Sequence, residues 1–228
     1  MQAAPPEHPL PPAPDAVRAP VAVALPLSSE DQARADLYAL AARVLLAAPG
    51  AALLEQLGSA DPILAEGGDP ALERAWEKLV LASGVMDPEA VAAEFDALFV
   101  SDGTPTLNPY GSLYLSGFMN DTPLADLRGD LARFGIGRVR GVGESEDHLG
   151  ALCETMRVLI AGAAGIARQP HHVQQAFFEA RIAPWYERCL GDIAHAKSAN
   201  YYRLVAAFVG ALLEIEADAF VVEEGFDD

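Results

Sequence analysis

The sequence predicts an all-α fold, and three observations support this prediction. Apolar residues recur at spacings of three and four along most of the chain, as on one face of an α-helix. Capping residues and proline-containing helix starts precede several of these segments. No segment alternates apolar and polar residues as a half-buried strand does. Because no repeat of fixed period is visible, we expect one compact multi-helix domain with roughly eight or more helices rather than a solenoid.

Composition divides the chain into three parts. Residues 1–27 contain eight of the 17 prolines and are rich in alanine, which predicts a disordered, flexible N-terminal tail. Residues 28–222 carry the helical patterns and form the predicted domain. Residues 223–228 form an acidic C-terminal end.

The first half of the domain contains several helix start signals. Ser29 and Gln32 fit a capping box before an apolar stripe, and Pro49 with Gly50 ends this first helix. Three dipeptides place a capping side chain before a proline at the first helical position: Asp69-Pro70, Asp87-Pro88 and Thr122-Pro123. After the second of these, the inward face is predicted to carry Val91, Phe95 and Leu98.

Two loops and three longer helices follow. Residues 101–112 are dense in turn formers and predict an ordered loop, and residues 135–143 predict a second break. A strongly amphipathic helix is expected from about Ser145. The next helix is expected from about His171, with Pro184 kinking or restarting it. The last should span residues 198–220, with an inward face of Tyr201, Val205, Phe208, Leu212, Ile215 and Ala219.

The charge balance disfavours several classes of partner. The 228 residues include 33 acidic and 15 Lys or Arg side chains, a formal net charge of −18. Such a field repels nucleic acid and anionic lipid surfaces, so we expect neither nucleic-acid binding nor membrane insertion. The longest apolar runs are about half the ~20 residues that a membrane span needs. With only two cysteines and no basic export signal at the start, a cytoplasmic location is expected.

Acidic residues and a histidine crowd one predicted helix start, at Glu144, Glu146, Asp147 and His148. Carboxylates at a helix start accept hydrogen bonds from the free N–H groups of the first turn and interact favourably with the helix dipole, so a purely structural role explains these residues well. On a helix beginning near Ser145, His148 would lie at the edge of the apolar stripe. Asp147 would lie on the opposite side, available to a partner.

Other chemistry finds little support. No second histidine follows His148 one turn along its helix, so no metal site is predicted. Ser112 has no defensible Asp/His partners for nucleophilic catalysis. The glycine-rich residues 135–143, with Arg138 and Arg140, leave open weak nucleotide binding and hence a nucleotide-binding hydrolase. That turn follows a predicted helix rather than the strand that a dinucleotide fingerprint requires, so a simple helix connection is the alternative.

Two sequence motifs lie near the middle of the domain. In the first, a proline and an aromatic residue lead into a Ser-x-Tyr-Leu stretch, at Pro109, Tyr110, Gly111, Ser112, Tyr114 and Leu115. The second has Glu144, Glu146, Asp147 and His148 at the start of a predicted helix. Together they resemble the TorD/DmsD family of molybdoenzyme maturation chaperones, whose second motif is Glu-Pro-x-Asp-His; here Ser145 stands in place of the usual proline. The segment FFEARIAPWYERCL also resembles the family's helix with its Pro-Trp step. The resemblance covers about residues 30–222.

The resemblance implies a non-catalytic, cytoplasmic chaperone without a cofactor. Such proteins bind the twin-arginine signal peptide, or an adjacent segment, of a molybdenum-cofactor oxidoreductase precursor and delay its export until the cofactor is inserted. By this carry-over the peptide-binding residues are Pro109, Tyr110, Ser112, Tyr114, Glu144, Asp147 and His148. The YGSLYLSGF and DHLGALCE segments most resemble the branch that serves formate dehydrogenase catalytic subunits. Dimethyl sulfoxide and trimethylamine N-oxide reductases are alternative clients.

Two further alternatives stay open at the level of sequence. The chain could be a helical scaffold or regulator without a peptide groove, in which Asp147 and His148 only begin a helix. Long amphipathic helices also allow either a monomer or a helix-exchanged homodimer.

Overall fold

The computed structural model describes residues 26–63, 70–100, 105–137 and 144–224, with side chains up to residue 220. These ranges contain ten α-helices and no strand, which confirms the predicted all-α class. The predicted tail lies almost entirely outside the described residues. The helices are α1 (Ser29–Leu46), α2 (Ala51–Gly58), α3 (Ala71–Ser83), α4 (Pro88–Phe95), α5 (Gly111–Ser116), α6 (Thr122–Arg133), α7 (Leu149–Ala161), α8 (His171–Arg181), α9 (Tyr186–His195) and α10 (Tyr201–Glu224).

Helix α10 is buried at the centre of the fold. It packs against α3 and α9, while α1 packs along α7 and α5 along α6. Its buried side chains come from nearly all sides of the helix and include Tyr201, Tyr202, Val205, Phe208, Val209, Leu212, Leu213 and Phe220. The predicted inward face was wrong at Ala219, which is exposed, because Glu216 and Phe220 form the buried face of the helix at that point. The helix also continues to Glu224, beyond the predicted domain boundary at residue 222.

Several predicted helix starts were shifted by one residue. Ser28, rather than Ser29, caps α1, because its extended backbone lets Oγ accept from Asp31 N at 3.0 Å. Asp121, rather than Thr122, caps α6, because its carboxylate accepts from Thr122 N at 2.7 Å. The Asp87-Pro88 start of α4 is confirmed, with Asp87 accepting from Glu89 N.

The Asp69-Pro70 start was only partly tested. Pro70 lies before the first residue of α3 rather than at its first helical position, and Asp69 lies outside the described residues. After α4 the helix widens into a π-helical segment, Asp96–Val100, which the sequence did not predict. Leu98 in this segment is fully buried, as expected.

Two predictions near the candidate site were wrong. Gly111 and Ser112 belong to the short helix α5, not to the predicted loop 101–112. Helix α7 begins at Leu149, four residues later than expected, because residues 147–149 pair with residues 109–111 in an extended conformation. Pro184 separates α8 from α9, which confirms that the helix restarts there. Within the described part of the chain, no helix combines the length and apolar character that a membrane crossing needs.

Gly150 permits the close crossing of α1 and α7. A Cβ atom at this position would lie 2.8 Å from Leu46 Cγ and 3.2 Å from the carbonyl oxygen of Ala42. We expect Gly150→Ala to destabilise the fold by about 1–2 kcal/mol, because overpacking outweighs a helix-propensity gain of at most ~1 kcal/mol. Urea denaturation measures the change.

The matched control is Gly191→Ala in α9, where nothing lies within 4 Å of the added atom. This variant should be unchanged or up to ~1 kcal/mol more stable. Equal effects at the two glycines would show that the α1–α7 crossing is not close-packed at Gly150.

Candidate peptide-binding site

The two motifs that carry the resemblance meet where α5 and α7 begin. Gly111 N donates to the carbonyl oxygen of Asp147 at 2.8 Å, and Leu149 N donates to that of Pro109 at 2.9 Å. These bonds form an isolated antiparallel bridge between Tyr110 and His148. All seven sequence-predicted site residues lie at or beside this junction.

Asp147 is buried at the junction, with 3% of its surface exposed. Its Oδ2 accepts from Ser112 N, the second residue of α5, at 2.9 Å. The expectation that Asp147 lies on the exposed side of a helix was therefore wrong. The reason is that residue 147 precedes α7 and faces the first turn of α5 instead.

His148 caps α7 from a buried position. Its Nδ1 accepts from Gly150 N at 3.0 Å, so the neutral ring carries its proton on Nε2. Burial lowers the pKa of His148 to about 4, although the carboxylates of Glu144 and Asp147 act in the opposite direction. The imidazole is thus neutral near pH 7 and cannot itself supply a positive charge to a ligand.

Tyr110 and Tyr114 present half-buried rings on the outer side of the junction. The Tyr110 hydroxyl donates to Glu144 Oε2, and its ring lies edge-on to His148 with centroids 5.2 Å apart. Burial, followed by the hydrogen bond to Glu144, raises the pKa of Tyr110, so the hydroxyl stays protonated. The Tyr114 hydroxyl donates to Asp192 Oδ2 at 2.8 Å. Each tyrosine therefore holds a carboxylate at the surface of the site.

Trp185 supports the site from beneath. Its indole stacks on Tyr114 with centroids 5.4 Å apart. A Cβ atom on Gly111 would lie 3.3 Å from the same indole, so only a glycine fits there without displacement of the ring. The exposed Arg188 donates to the carbonyl oxygen of Tyr114 at 2.7 Å. The Pro-Trp step in the sequence was the available signal for Trp185, whereas Arg188 and Asp192 carried none.

An apolar patch lies beside the junction, where α5 ends and the chain turns into α6. It consists of Leu115, Phe118 and Met119, which are 41%, 72% and 44% exposed. These residues are not among the sequence-predicted site residues, although the sequence places three large apolar side chains within five positions. The patch adds an apolar surface to a site whose carboxylates carry negative charge.

Below the patch the four helices α5 to α8 leave a hollow of about 10 Å³, room for about one water molecule. Asp147 and Arg181 contribute to its lining. Arg181 is tied to the buried Asp130, with two nitrogens 2.5 and 2.6 Å from Oδ2. A space of this size does not admit a peptide side chain.

A separate cleft of about 370 Å³ lies near the C-terminal end of α7, beside the starts of α1 and α8. Arg34 at its floor binds Glu216 of α10 through two hydrogen bonds of 2.5 and 3.1 Å and also contacts Gln174. These bonds engage the guanidinium within the fold. None of the predicted site residues lines this cleft.

The structure describes only residues 135–137 of the glycine-rich turn. Gly135 adopts a positive φ of 74° directly after α6, as a helix connection requires. Residues 138–143, including both arginines, lie outside the described residues. Among the described side chains, no group of three or more His, Cys, Asp or Glu residues could hold a metal ion.

The residues of the junction lie within a segment that matches a known protein family. The family model described as nitrate reductase delta subunit matches residues 65–190, more than half of the chain. The chain belongs to this family. Its members are TorD-like chaperones of molybdoenzyme maturation, not enzymes. The TorD-like match includes α5, α7 and Trp185, and therefore every residue of the junction. No curated protein matches the sequence.

Proposed function

We propose that this TorD-like chaperone acts in the cytoplasm and binds the twin-arginine signal peptide, or an adjacent segment, of a molybdenum-cofactor oxidoreductase precursor. Binding delays export until the cofactor is inserted. The observation that carries the proposal is the pair of tyrosine-held carboxylates, Tyr110 with Glu144 and Tyr114 with Asp192, on a protein of net charge −18. Such a surface complements a leader that begins with arginines.

The proposed peptide-binding residues have two roles. Tyr110, Tyr114 and Glu144 are accessible enough to contact the leader. Pro109, Ser112, Asp147 and His148 are buried and shape the junction behind them. Guanidinium groups of the leader pair with Glu144 and Asp192, and the tyrosine rings pack against the aliphatic parts of the arginines.

The proposed client is the catalytic subunit of a formate dehydrogenase, on the resemblance of the YGSLYLSGF and DHLGALCE segments. Calorimetry with synthetic leaders of formate dehydrogenase, dimethyl sulfoxide reductase and trimethylamine N-oxide reductase precursors tests this choice. Each leader is paired with a control in which both arginines are replaced by glutamine. We expect the formate dehydrogenase leader to bind most tightly and its control at least several-fold more weakly. Absence of binding by all three leaders contradicts the proposed function itself.

Salt should weaken leader binding without abolishing it. Between about 0.1 M and 1 M salt the Debye length falls from about 10 Å to about 3 Å, which screens the carboxylate–arginine attraction. Two surface ion pairs of about 0.2–1 kcal/mol each imply a loss of roughly 2- to 30-fold in affinity. The apolar contribution persists in salt. A calorimetric salt series measures the slope; complete insensitivity contradicts the electrostatic part, and total loss contradicts the apolar part.

A further inference from the structure

We propose that the apolar patch of Leu115, Phe118 and Met119 docks the apolar stretch of the leader. We also propose that buried Ser112 and Asp147 are positioning residues that hold this patch in place. The inference rests on the proposed function in taking a leader peptide as the ligand. It assigns to Asp147 a role without peptide contact and to Phe118 the principal apolar contact.

The turn that carries the patch has a defined backbone. Gly117 and Asn120 both adopt positive φ angles, of 83° and 60°. Asparagine tolerates this left-handed region better than most residues, and glycine adopts it without strain. Ser116 Oγ donates to the carbonyl oxygens of Ser112 and Phe118, at 2.8 and 3.3 Å. The turn therefore holds the Phe118 side chain outward, with 72% of its surface exposed to solvent.

A short series of hydrogen bonds connects this turn to Asp147. Asn120 N donates to Ser112 Oγ at 3.1 Å, and Ser112 N donates to Asp147 Oδ2 at 2.9 Å. Both Ser112 and Asp147 are at most 3% exposed, so neither reaches a bound peptide. Loss of either acceptor frees the start of α5 or the turn after it, and the position of Phe118 changes as a result.

Charge identifies the occupant of the patch. An exposed phenylalanine, leucine and methionine favour an apolar segment. Two acidic residues lie close to the patch. Asp121 follows Met119 by two positions, and Asp192 is hydrogen-bonded to Tyr114, the neighbour of Leu115 in α5. A segment that is basic at one end and apolar in the next roughly ten residues matches both features, and this is the pattern of an export leader.

The first test compares two exposed apolar residues. Phe118→Ser should weaken binding of a synthetic peptide with two consecutive arginines and roughly ten following apolar residues by at least ~10-fold. The matched control is Leu81→Ser in α3, where the leucine is 71% exposed and distant in sequence from the patch. The control should bind as the unchanged protein does. Equal affinities of the Phe118→Ser variant and the unchanged protein overturn the docking assignment.

The second test separates positioning from contact at Asp147. Asp147→Asn keeps an oxygen that accepts from Ser112 N but removes the negative charge, whereas Asp147→Ala removes the acceptor. A positioning role predicts near-normal peptide affinity for the Asn variant and a loss of at least ~5-fold for the Ala variant. Direct pairing of Asp147 with a leader arginine predicts equal losses in both, and that result overturns the inference.

The third test follows the turn itself. Ser112→Ala should accelerate amide hydrogen exchange at Asn120 and weaken peptide binding, and the binding loss should largely disappear in the Phe118→Ser background. Ser83→Ala is the control, because Ser83 is also buried and hydrogen-bonded, to Tyr201, but lies in α3. Unchanged exchange at Asn120, or additive losses in the double variant, contradicts the positioning role.

The outcomes also separate this inference from the proposed function. If the unchanged protein binds no leader, the proposed function fails. If it binds the leader but Phe118→Ser has no effect, only the inference fails. If Phe118→Ser leaves peptide affinity intact but abolishes self-association in sedimentation, the patch is an interface between two copies of the chain, which likewise overturns the inference.

Discussion

Glu94→Ala should destabilise the protein by about 3 kcal/mol or more. The carboxylate of Glu94 is 8% exposed and accepts from the backbone N–H groups of Asn200, Tyr201 and Tyr202 at 2.8, 3.1 and 2.8 Å. These donors lie at the start of α10, where helix geometry supplies no carbonyl partner. The variant leaves all three N–H groups without this acceptor, two of them on the buried residues Tyr201 and Tyr202, and the favourable charge–dipole interaction is also lost.

The loss should appear as a melting temperature lower by roughly 6–12 °C, since 1 kcal/mol corresponds to about 2–4 °C for a chain of this size. The stability of Glu94→Gln should lie between that of Glu94→Ala and that of the unchanged protein. The glutamine amide offers only one acceptor oxygen, and its NH₂ group faces the remaining backbone donors. The control is Glu77→Ala on the exposed side of α3, expected within ~0.5 kcal/mol of the unchanged protein. A similarly small effect at Glu94 contradicts a role in holding α4 against the start of α10.

Acid should destabilise the fold through His148 at pH values where most carboxylates are still ionised. The folded pKa of His148 is about 4, against about 6.5 in an unfolded chain. As the pH falls below 6.5, the unfolded state takes up a proton that the folded state does not. The associated stability is fully present above pH 6.5 and decreases by about 2 kcal/mol at pH 5 and about 3 kcal/mol at pH 4.

His148→Asn isolates this contribution. Asparagine can still accept from Gly150 N as a helix cap, but it does not titrate. We expect the variant to be less stable than the unchanged protein at pH 7, through lost ring packing on Tyr110, and the difference to shrink steadily toward pH 5. Urea denaturation of both proteins from pH 7.5 to pH 5 provides the comparison. A constant difference across this range contradicts the buried, neutral histidine.

The local signals in the sequence explain most of the helices. Asp87-Pro88 gives a cap and a preformed first turn, and Pro184 cannot continue α8, so both boundaries follow from the chemistry of one or two residues. The starts of α1 and α6 were each wrong by one residue. Several neighbouring polar residues can cap a helix, and the one that does so is the residue whose backbone is extended, here Ser28 and Asp121.

The candidate site was less predictable because its geometry comes from residues distant in sequence. The carbonyl oxygen and side chain of Asp147 both bind the first turn of α5, more than thirty positions earlier in the chain. A pattern of carboxylates before an apolar stripe predicts a helix start. It cannot show that residues 147–149 pair with residues 109–111 before the helix begins. The same limit applies to Asp192 and Arg188, which reach the site only because α9 packs beside α5.

The sequence by itself determined the all-α class, the start of α4, the break at Pro184 and the family motifs, because these depend on interactions between residues a few positions apart. The tertiary structure alone decided that Asp147 and His148 are buried and that Phe118 is exposed. Burial of a carboxylate requires a compensating donor, and for Asp147 this donor is the backbone N–H of Ser112 in another segment, next to Gly111, whose N–H binds the carbonyl oxygen of Asp147. Whether a polar residue faces a ligand or supports the fold thus depends on long-range packing, which local periodicity does not encode.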